Sequence, residues 1–144
     1  MSIDETARIE GSTVGDAEIR EFVTVHGSDV GDDVRIYEGT SVKKSAIAGP
    51  ATLNAGVYVE NARPGPAVQV GPNASVVGVA HELTDEGMTV REDRFEEVIL
   101  ERGAFVGAGA VVLPGVTVGE NAVVGVGVTV REDVAPGAVV RRDR

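Results

Sequence analysis

The fold is decided by residues 105–130, which read Phe105-Val-Gly-Ala-Gly-Ala-Val-Val-Leu-Pro-Gly-Val-Thr-Val-Gly-Glu-Asn-Ala-Val-Val-Gly-Val-Gly-Val-Thr-Val130. In this stretch a valine recurs at every sixth position. The members of the series are Val106, Val112, Val118, Val124 and Val130, and Pro136 takes the next place. A period of six matches neither the helical period of about 3.6 residues nor the strand period of about 2. It therefore predicts a repeated structural unit.

Two further positions of each unit support this interpretation. Four places after each valine stands a small or β-branched residue, in the series Ala110, Val116, Ala122, Val128 and Val134. Three places after each valine stands a residue that tolerates a left-handed backbone or a tight bend, in the series Gly109, Gly115, Asn121, Gly127 and Asp133. Each unit is thus one short strand followed by one corner. Three units close a triangular coil of about 18 residues, and stacked coils bury ladders of aliphatic side chains.

The same step of six continues upstream in shorter runs. Val30, Ile36 and Val42 keep it, and so do Pro64, Val70 and Val76. Steps of five, such as that from Val25 to Val30, interrupt the pattern and indicate looser corners. We expect residues 1–144 to form a single all-β domain of about seven coils.

One segment has no repeat at all. Residues 78–97 contain ten charged or titratable side chains and no hexad, and the repeat resumes at Leu100. A segment of this length within a compact repeat is usually functional or disordered. We expect it to form one excursion loop.

Composition excludes several classes of protein. Aromatic residues make up 3% of the chain, and 19 glycines are present, which favours a core of narrow repeated layers. Cysteine is absent, so disulfides, thiolate nucleophiles and cysteine-based zinc sites are excluded. The net charge of −10 argues against a nucleic-acid partner. Such acidity is typical either of a salt-adapted protein or of an ordinary acidic surface.

Nothing in the sequence predicts a membrane segment. The uncharged run of residues 103–119 is broken by glycine and proline and is shorter than the roughly 20 apolar residues of a span. The acidic, polar start of the chain does not resemble a signal peptide. We therefore expect a cytoplasmic protein.

His81 is the principal catalytic candidate. The chain has only two histidines, His26 and His81, and most lone histidines are structural. His81 stands where the regular repeat meets the excursion loop, and imidazole is the side chain that most readily acts as a general base near neutral pH. No Ser-His-Asp pattern and no G-x-S-x-G motif is visible, so direct transfer assisted by a base is the simpler mechanism.

The run from Val70 to Pro136, with His81 lying 25 residues before Val106, resembles the hexapeptide-repeat acyltransferases. It is similar in particular to the galactoside, maltose and xenobiotic acetyltransferases, in which a histidine, a loop and a W-I-G-x-x-A-V-I-x-P-G-V-x-I-G run follow one another. The resemblance implies a left-handed parallel β-helix, assembled as a homotrimer with active sites between subunits. It also implies acetyl-CoA as co-substrate and no metal.

The resemblance further implies residue roles. His81 would be the general base, and the backbone amide of Ala108 would stabilise the oxyanion. Val126 and Arg131 would lie along the edge that binds coenzyme A, with Arg131, Arg141 and Arg142 as phosphate contacts or, alternatively, as a solvated edge. The candidate acceptor-binding residues are Asn54, Glu60, Asn61 and Glu82, although Asn54 and Asn61 fit equally well as corner residues.

The function that the sequence favours is therefore acetyl transfer to a hydroxyl or amine of a small, sugar-like acceptor. A metal-dependent carbonic anhydrase of the same fold needs three histidines per zinc ion and is excluded by the histidine count. A non-catalytic β-helix scaffold is the alternative. It would explain why Val126 stands where the family has a small residue, why Arg131-Glu132 replaces Thr-Lys, and why the family's C-terminal tail motif is missing.

Overall fold

The computed structural model describes residues 1–142, and for residues 89–92 it describes the backbone only. The described chain consists of short strands and corners. The strands are β1 (Ser2–Ile3), β2 (Arg8–Glu10), β3 (Thr13–Val14), β4 (Glu18–Ile19), β5 (Thr24–His26), β6 (Asp29–Val30), β7 (Val34–Ile36), β8 (Ser41–Lys43), β9 (Ala46–Ile47), β10 (Ala51–Leu53), β11 (Tyr58–Glu60), β12 (Ala62–Pro64), β13 (Val68–Val70), β14 (Ser75–Val77), β15 (Val79–Thr84), β16 (Gly87–Phe95), β17 (Val98–Leu100), β18 (Phe105–Val106), β19 (Val111–Val112), β20 (Thr117–Val118), β21 (Val123–Val124), β22 (Thr129–Val130) and β23 (Val139–Val140). No helix long and apolar enough to cross a membrane occurs among the described residues.

The coil strands form three parallel faces. Face A has the order β1-β4-β7-β10-β13-β18-β21-β23, and face B has the order β2-β5-β8-β11-β14-β19-β22. Face C consists of β3-β6-β9 and β12-β17-β20, which are linked where the Ala48 N–H donates to the Pro64 carbonyl over 3.0 Å. The predicted parallel β-helix is therefore confirmed.

The coil count differs from the expected number. Face A has eight strands, so the helix has about eight coils rather than about seven. Along face A, Ser2 pairs with Glu18 and Ala51 pairs with Val34, which gives coils of 16 and 17 residues, whereas Phe105 pairs with Val123 after 18. The five-residue steps shorten the upstream coils, and an equal length of chain therefore makes more of them.

The core follows the six-residue pattern. All five valines of the deciding series are at most 4% exposed, and the residues four places later are buried as well. Pro136 is exposed, so the inward series ends before it. At the corners, Gly109, Gly115, Asn121 and Gly127 have φ between 58° and 81°, as predicted, whereas in the last coil Gly137 rather than Asp133 has a positive φ.

The predicted excursion loop is an ordered antiparallel hairpin, β15–β16, which pairs with no other described strand. Its turn is closed by the Thr84 hydroxyl, which donates to the Gly87 carbonyl over 2.8 Å. Its base is part of the coil, because the Gly78 carbonyl accepts from the Glu96 N–H at 2.8 Å and from the Asn61 side-chain amide at 2.9 Å. The hairpin therefore leaves the coil from a fixed point, the corner between faces B and C.

Candidate functional site

His81 lies on β15 directly opposite Asp93 on β16. The two side chains are paired, with 2.9 Å between Nδ1 of His81 and Oδ1 of Asp93, and both are substantially exposed. A carboxylate on one imidazole nitrogen orients the ring and leaves the other nitrogen available to exchange a proton. The hairpin thus builds a His–Asp pair of the type used in general base catalysis.

Asp93 is a functional candidate that the sequence analysis did not identify. The sequence feature that could have indicated a hairpin here is the turn Thr84-Asp-Glu-Gly87, whose residue types are typical of tight turns. The turn alone did not supply the partner of His81, because the register of the hairpin shifts between His81 and Leu83. If the pairing continued from the turn without this shift, a residue other than Asp93 would lie opposite His81.

Glu82 lies on the hairpin as well, but it points to the opposite face because neighbouring residues of a strand alternate. There its carboxylate pairs with Arg94, whose Nε lies 3.3 Å from Oε2. The candidate acceptor residue Glu82 is therefore beside His81 in sequence and across the hairpin from it in space.

Ala108 and Val126 lie one above the other on the A/B edge, which we define as the corners that lead from a face A strand to the next face B strand. The Gly127 N–H donates to the Ala108 carbonyl over 2.9 Å, which fixes this stacking. The Ala108 N–H donates to no backbone carbonyl of the described chain. Val126 is 70% exposed, so its side chain projects from the edge into solvent.

Glycines allow these corners to stack closely. A Cβ atom on Gly71 would lie 2.6 Å from the Ala108 nitrogen, and one on Gly107 would lie 2.8 Å from the Val126 nitrogen. Real Cβ atoms do not approach backbone atoms so closely, so any side chain at these positions would separate the coils. The A/B edge is consequently narrow and regular at the positions that the resemblance assigns to coenzyme A.

Arg142 lies at the C-terminal end of this edge. Nη1 of Arg142 lies 3.3 Å from the point where a Cβ of Gly127 would stand, so Arg142 reaches the same corner as Val126. Arg131 does not lie on this edge of its own chain. It follows β22 and belongs to the B/C edge, which we define as the corners that lead from a face B strand to the next face C strand.

The remaining candidates are divided between the two edges. The Asn54 side-chain amide donates to the Val70 carbonyl at 3.2 Å on the A/B edge, and Asn61, with φ 51°, donates to Gly78 on the B/C edge. Both amides thus support corners. Glu60 lies on the B/C edge next to the hairpin base and accepts a short hydrogen bond from the Tyr58 hydroxyl. Burial and, secondarily, this bond to Glu60 raise the pKa of Tyr58 to about 12.

The structure therefore brings together His81, Asp93, Glu60 and Asn61 around the hairpin and its base. It places Ala108 and Val126 on another edge. From Ala108 to Pro114, where the chain reaches the B/C edge, six residues run along face B, which corresponds to about 20 Å at roughly 3.3 Å per residue. One chain thus carries two separated groups of candidate residues.

Within the described part of the chain, no three His, Asp or Glu side chains are placed to hold one metal ion. The geometry provides a histidine base on the hairpin and a narrow glycine-lined edge, without a metal-binding cluster among those residues.

Comparison with known proteins agrees with this architecture. Residues 97–132 match the family model for the bacterial transferase hexapeptide (six repeats). No curated protein sequence matches the chain.

Solved structures of the same fold include three transferases. The N-acyltransferase AntD from Bacillus cereus, as a point mutant in complex with dTDP-4-amino-4,6-dideoxyglucose and coenzyme A, is 16% identical, with 90% of this chain and 77% of that chain covered and a TM-score of 0.77. A maltose O-acetyltransferase from Clostridium difficile is 20% identical, with 80% of this chain and 64% of that chain covered and a TM-score of 0.67.

The third is a GDP-perosamine N-acetyl transferase from Caulobacter crescentus, as a histidine-to-alanine mutant in complex with CoA and GDP-perosamine. It is 24% identical, with 95% of this chain and 50% of that chain covered and a TM-score of 0.53. At these identities the likeness establishes the fold. The chain therefore carries the bacterial transferase hexapeptide repeat and has the fold of the hexapeptide-repeat acyltransferases, as the resemblance of residues 70–136 predicted.

Proposed function

We propose that this protein is an acetyl-CoA-dependent acetyltransferase, which transfers the acetyl group to a hydroxyl or amine of a small, sugar-like acceptor. The observation that carries the proposal is the His81–Asp93 pair, held at 2.9 Å on a hairpin that leaves a hexapeptide-repeat β-helix. The neighbours support it, because the structures of AntD and of the GDP-perosamine enzyme contain coenzyme A together with nucleotide-linked sugars.

The proposed reaction is a direct transfer. Asp93 accepts the Nδ1–H of His81, and Nε2 then takes the proton from the acceptor as its oxygen or nitrogen attacks the thioester carbonyl. The Ala108 N–H donates to the oxyanion that forms. When the C–S bond breaks, the imidazolium returns the proton to the sulfur and free coenzyme A leaves.

The A/B edge suits the co-substrate. Ala108 and the exposed Val126 offer apolar contacts for the uncharged pantetheine arm, and Arg142 stands at the end where a phosphate would be neutralised. Arg131 is the proposed phosphate contact from the B/C edge. Glu60, at the hairpin base, is the proposed acceptor contact, whereas Asn54 and Asn61 hold corners and Glu82 pairs with Arg94 on the hairpin face opposite His81.

The separation of the two edges supports a homotrimer with shared sites. His81 lies on the B/C edge of one chain, and the edge that binds coenzyme A belongs to the A/B corners, so a second copy is needed to bring them together. A cytoplasmic location, where acetyl-CoA is available, is part of the same proposal.

Isothermal titration calorimetry with coenzyme A tests the proposal. We expect binding, and we expect Val126→Ala to bind more tightly if the larger valine narrows the edge. Arg142→Gln should weaken binding because a phosphate loses its partner, whereas Arg35→Gln, on face A in the N-terminal coils, should bind like the parent. Absence of binding at millimolar coenzyme A would favour the scaffold alternative.

A further inference from the structure

The base of the hairpin fixes the point at which the hairpin leaves the coil, but not its direction. The strands β15 and β16 pair with no other described strand. At the base, the Gly78 carbonyl accepts from the Glu96 N–H and from the Asn61 side-chain amide. Hydrogen bonds that converge on one carbonyl act as a pivot, and His81 lies three residues beyond it. A swing of the hairpin about Gly78 would therefore displace His81.

Lys44 contacts the hairpin from the body of the coil. Its ammonium nitrogen lies 4.7 Å from the centre of the Phe95 ring on β16. This is within the roughly 6 Å over which an aromatic ring attracts a cation. Lys44 lies on the B/C edge one coil before Asn61, because Lys43 pairs with Glu60. The contact thus joins the hairpin to a coil that the hydrogen bonds at the Gly78 carbonyl do not reach.

The corner at Lys44 suits asparagine or glycine better than lysine. Its φ of 50° lies in the left-handed region that these two residues tolerate best. The equivalent corners of the two neighbouring coils are Gly27 and Asn61, with φ of 55° and 51°. The corner therefore does not explain the lysine side chain, and asparagine can replace it without destabilising the fold.

Phe95 is connected to the proposed base through β16. On the hairpin Phe95 lies opposite Val79, and Asp93 lies opposite His81. Residues two apart on a strand share one face and lie about 7 Å from each other, so Phe95 and Asp93 are neighbours on that face. Asp93 Oδ1 lies 2.9 Å from Nδ1 of His81. A ring held by Lys44 therefore fixes the part of the strand that carries the partner of His81.

We infer that Lys44 is a positioning residue, whose contact with Phe95 holds the hairpin in the direction in which His81 acts as the base. This inference rests on the proposed function. An exposed cation–π contact shifts an equilibrium by about two- to fivefold, so its loss should lower kcat by up to about fivefold. The KM for acetyl-CoA should not change, because Lys44 acts through the base rather than on coenzyme A.

Steady-state kinetics test the role. The chain has no cysteine, so a thiol reagent reports the release of coenzyme A without background, with D-glucosamine and, separately, with water as the acceptor. Lys44→Asn and Phe95→Leu should each lower kcat, and the double variant should lose no more than either, because both remove one contact. Lys44→Arg should keep kcat, since a guanidinium also binds an aromatic face. Arg35→Gln, which removes a positive charge from face A, is the control and should match the parent.

The contact itself can be observed without any activity. The chain has only two lysines, so an NMR spectrum of the ¹³C-labelled lysine side chains resolves the ε-methylene of Lys44. The Phe95 ring should shift this signal upfield, and Phe95→Leu should return it to its ordinary position. The signal of Lys43, whose ammonium lies 5.6 Å from the centre of the Tyr58 ring, should not move and is the internal control.

The outcomes separate this inference from the proposed function. A Lys44 signal that Phe95→Leu does not move, an unchanged kcat in Lys44→Asn, or losses that multiply in the double variant would each overturn the inference and leave an active parent as an acetyltransferase. A raised KM for acetyl-CoA with unchanged kcat would make Lys44 a coenzyme contact instead. A parent that binds no coenzyme A would overturn the proposed function, and the positioning role with it.

Discussion

At the scale of single residues, the proposed chemistry depends on one histidine and its carboxylate. The chain has a second histidine, His26, which lies half-buried on face B between Glu10 and Lys43. Only His81 is both exposed and paired with a carboxylate. Substitution of His81 therefore tests the proposed general base, and substitution of His26 is the control.

We predict that His81→Ala retains the fold and loses most of the acetyl transfer activity. The side chain is exposed, so its removal leaves no cavity, and the loss of a general base costs about 10²- to 10⁴-fold in rate. The measurements are kcat/KM with acetyl-CoA and far-ultraviolet circular dichroism. His26→Ala should retain activity, and an active His81→Ala would show that another group is the base.

A second residue-scale prediction concerns Tyr58. Its pKa is raised to about 12, first by burial and then by Glu60, so the folded protein keeps the phenol neutral at pH values where an unfolded chain, with a pKa near 10.0, begins to ionise. The contribution of Tyr58 to the free energy of unfolding should therefore be fully present below about pH 10 and be lost as the pH rises toward 12. In a Tyr37→Phe background, which leaves one tyrosine, the ultraviolet absorbance of tyrosinate reports the titration of Tyr58.

Glu60→Gln removes the negative charge and should shift this titration to lower pH. Glu38→Gln removes a carboxylate from another corner of the coil and serves as its control. An unchanged midpoint in Glu60→Gln would mean that burial alone accounts for the raised pKa.

At the scale of elements, the close stacking of the A/B edge depends on Gly107, where a side chain has no room. A Cβ atom on Gly107 would lie 2.8 Å from both the Gly125 carbonyl carbon and the Val126 nitrogen. Neither contact is with a flexible side chain, so the backbone itself must move. Gly109, two residues later, has φ 67° and open space at its Cβ position.

We predict that Gly107→Ala lowers the free energy of unfolding by about 1–3 kcal/mol, because overpacking displaces two corners. It should also weaken coenzyme A binding, since Ala108 and Val126 adjoin the displaced atoms. Gly109→Asn should be nearly neutral, because asparagine accepts positive φ and Asn73 already occupies the equivalent corner of the preceding coil. Urea unfolding and calorimetry measure both effects, and equal stabilities would contradict the predicted contact.

At the scale of the whole molecule, two edges of one chain each carry part of the proposed site. His81 lies on the hairpin that leaves the B/C edge, and Ala108 lies on the A/B edge. The two edges are separated by the width of face B. The hairpin pairs with no coil strand among the described residues and exposes Leu83 and Met88. Because an isolated two-stranded hairpin is marginally stable in water, a neighbouring subunit is its expected support.

The proposed shared site has a consequence for mixed assemblies. A His81→Ala chain and an Ala108→Trp chain should each be inactive alone. Refolded together in equal amounts, they should regain activity at about a quarter of the sites, because each intact site needs the hairpin of one chain and the edge of the other. Mixed trimers without activity would place both residues in one chain's site, and a monomer by light scattering would reject the shared site.

The sequence by itself determined the repeat, the inward residues and the region of the candidate base. The inward positions of Val106 and its successors follow from the six-residue period, which is a local property of the sequence. The corners of residues 105–130 are likewise marked by Gly109, Gly115, Asn121 and Gly127, whereas upstream corners with positive φ also use Phe22, Lys44 and Ala67. The position of His81 at the boundary of the repeat is equally a local feature.

Only the tertiary structure decided which residues meet. Asp93 reaches His81 through a hairpin register with a shift, and Lys44 reaches Phe95 although the two are far apart in the sequence. Arg131 and Val126 were expected on one edge but lie on two, because the strand β22 carries the chain from one corner to the next. These contacts depend on strand pairing and on the lengths of the intervening coils. Both are set by many residues together, so no single sequence motif predicts them.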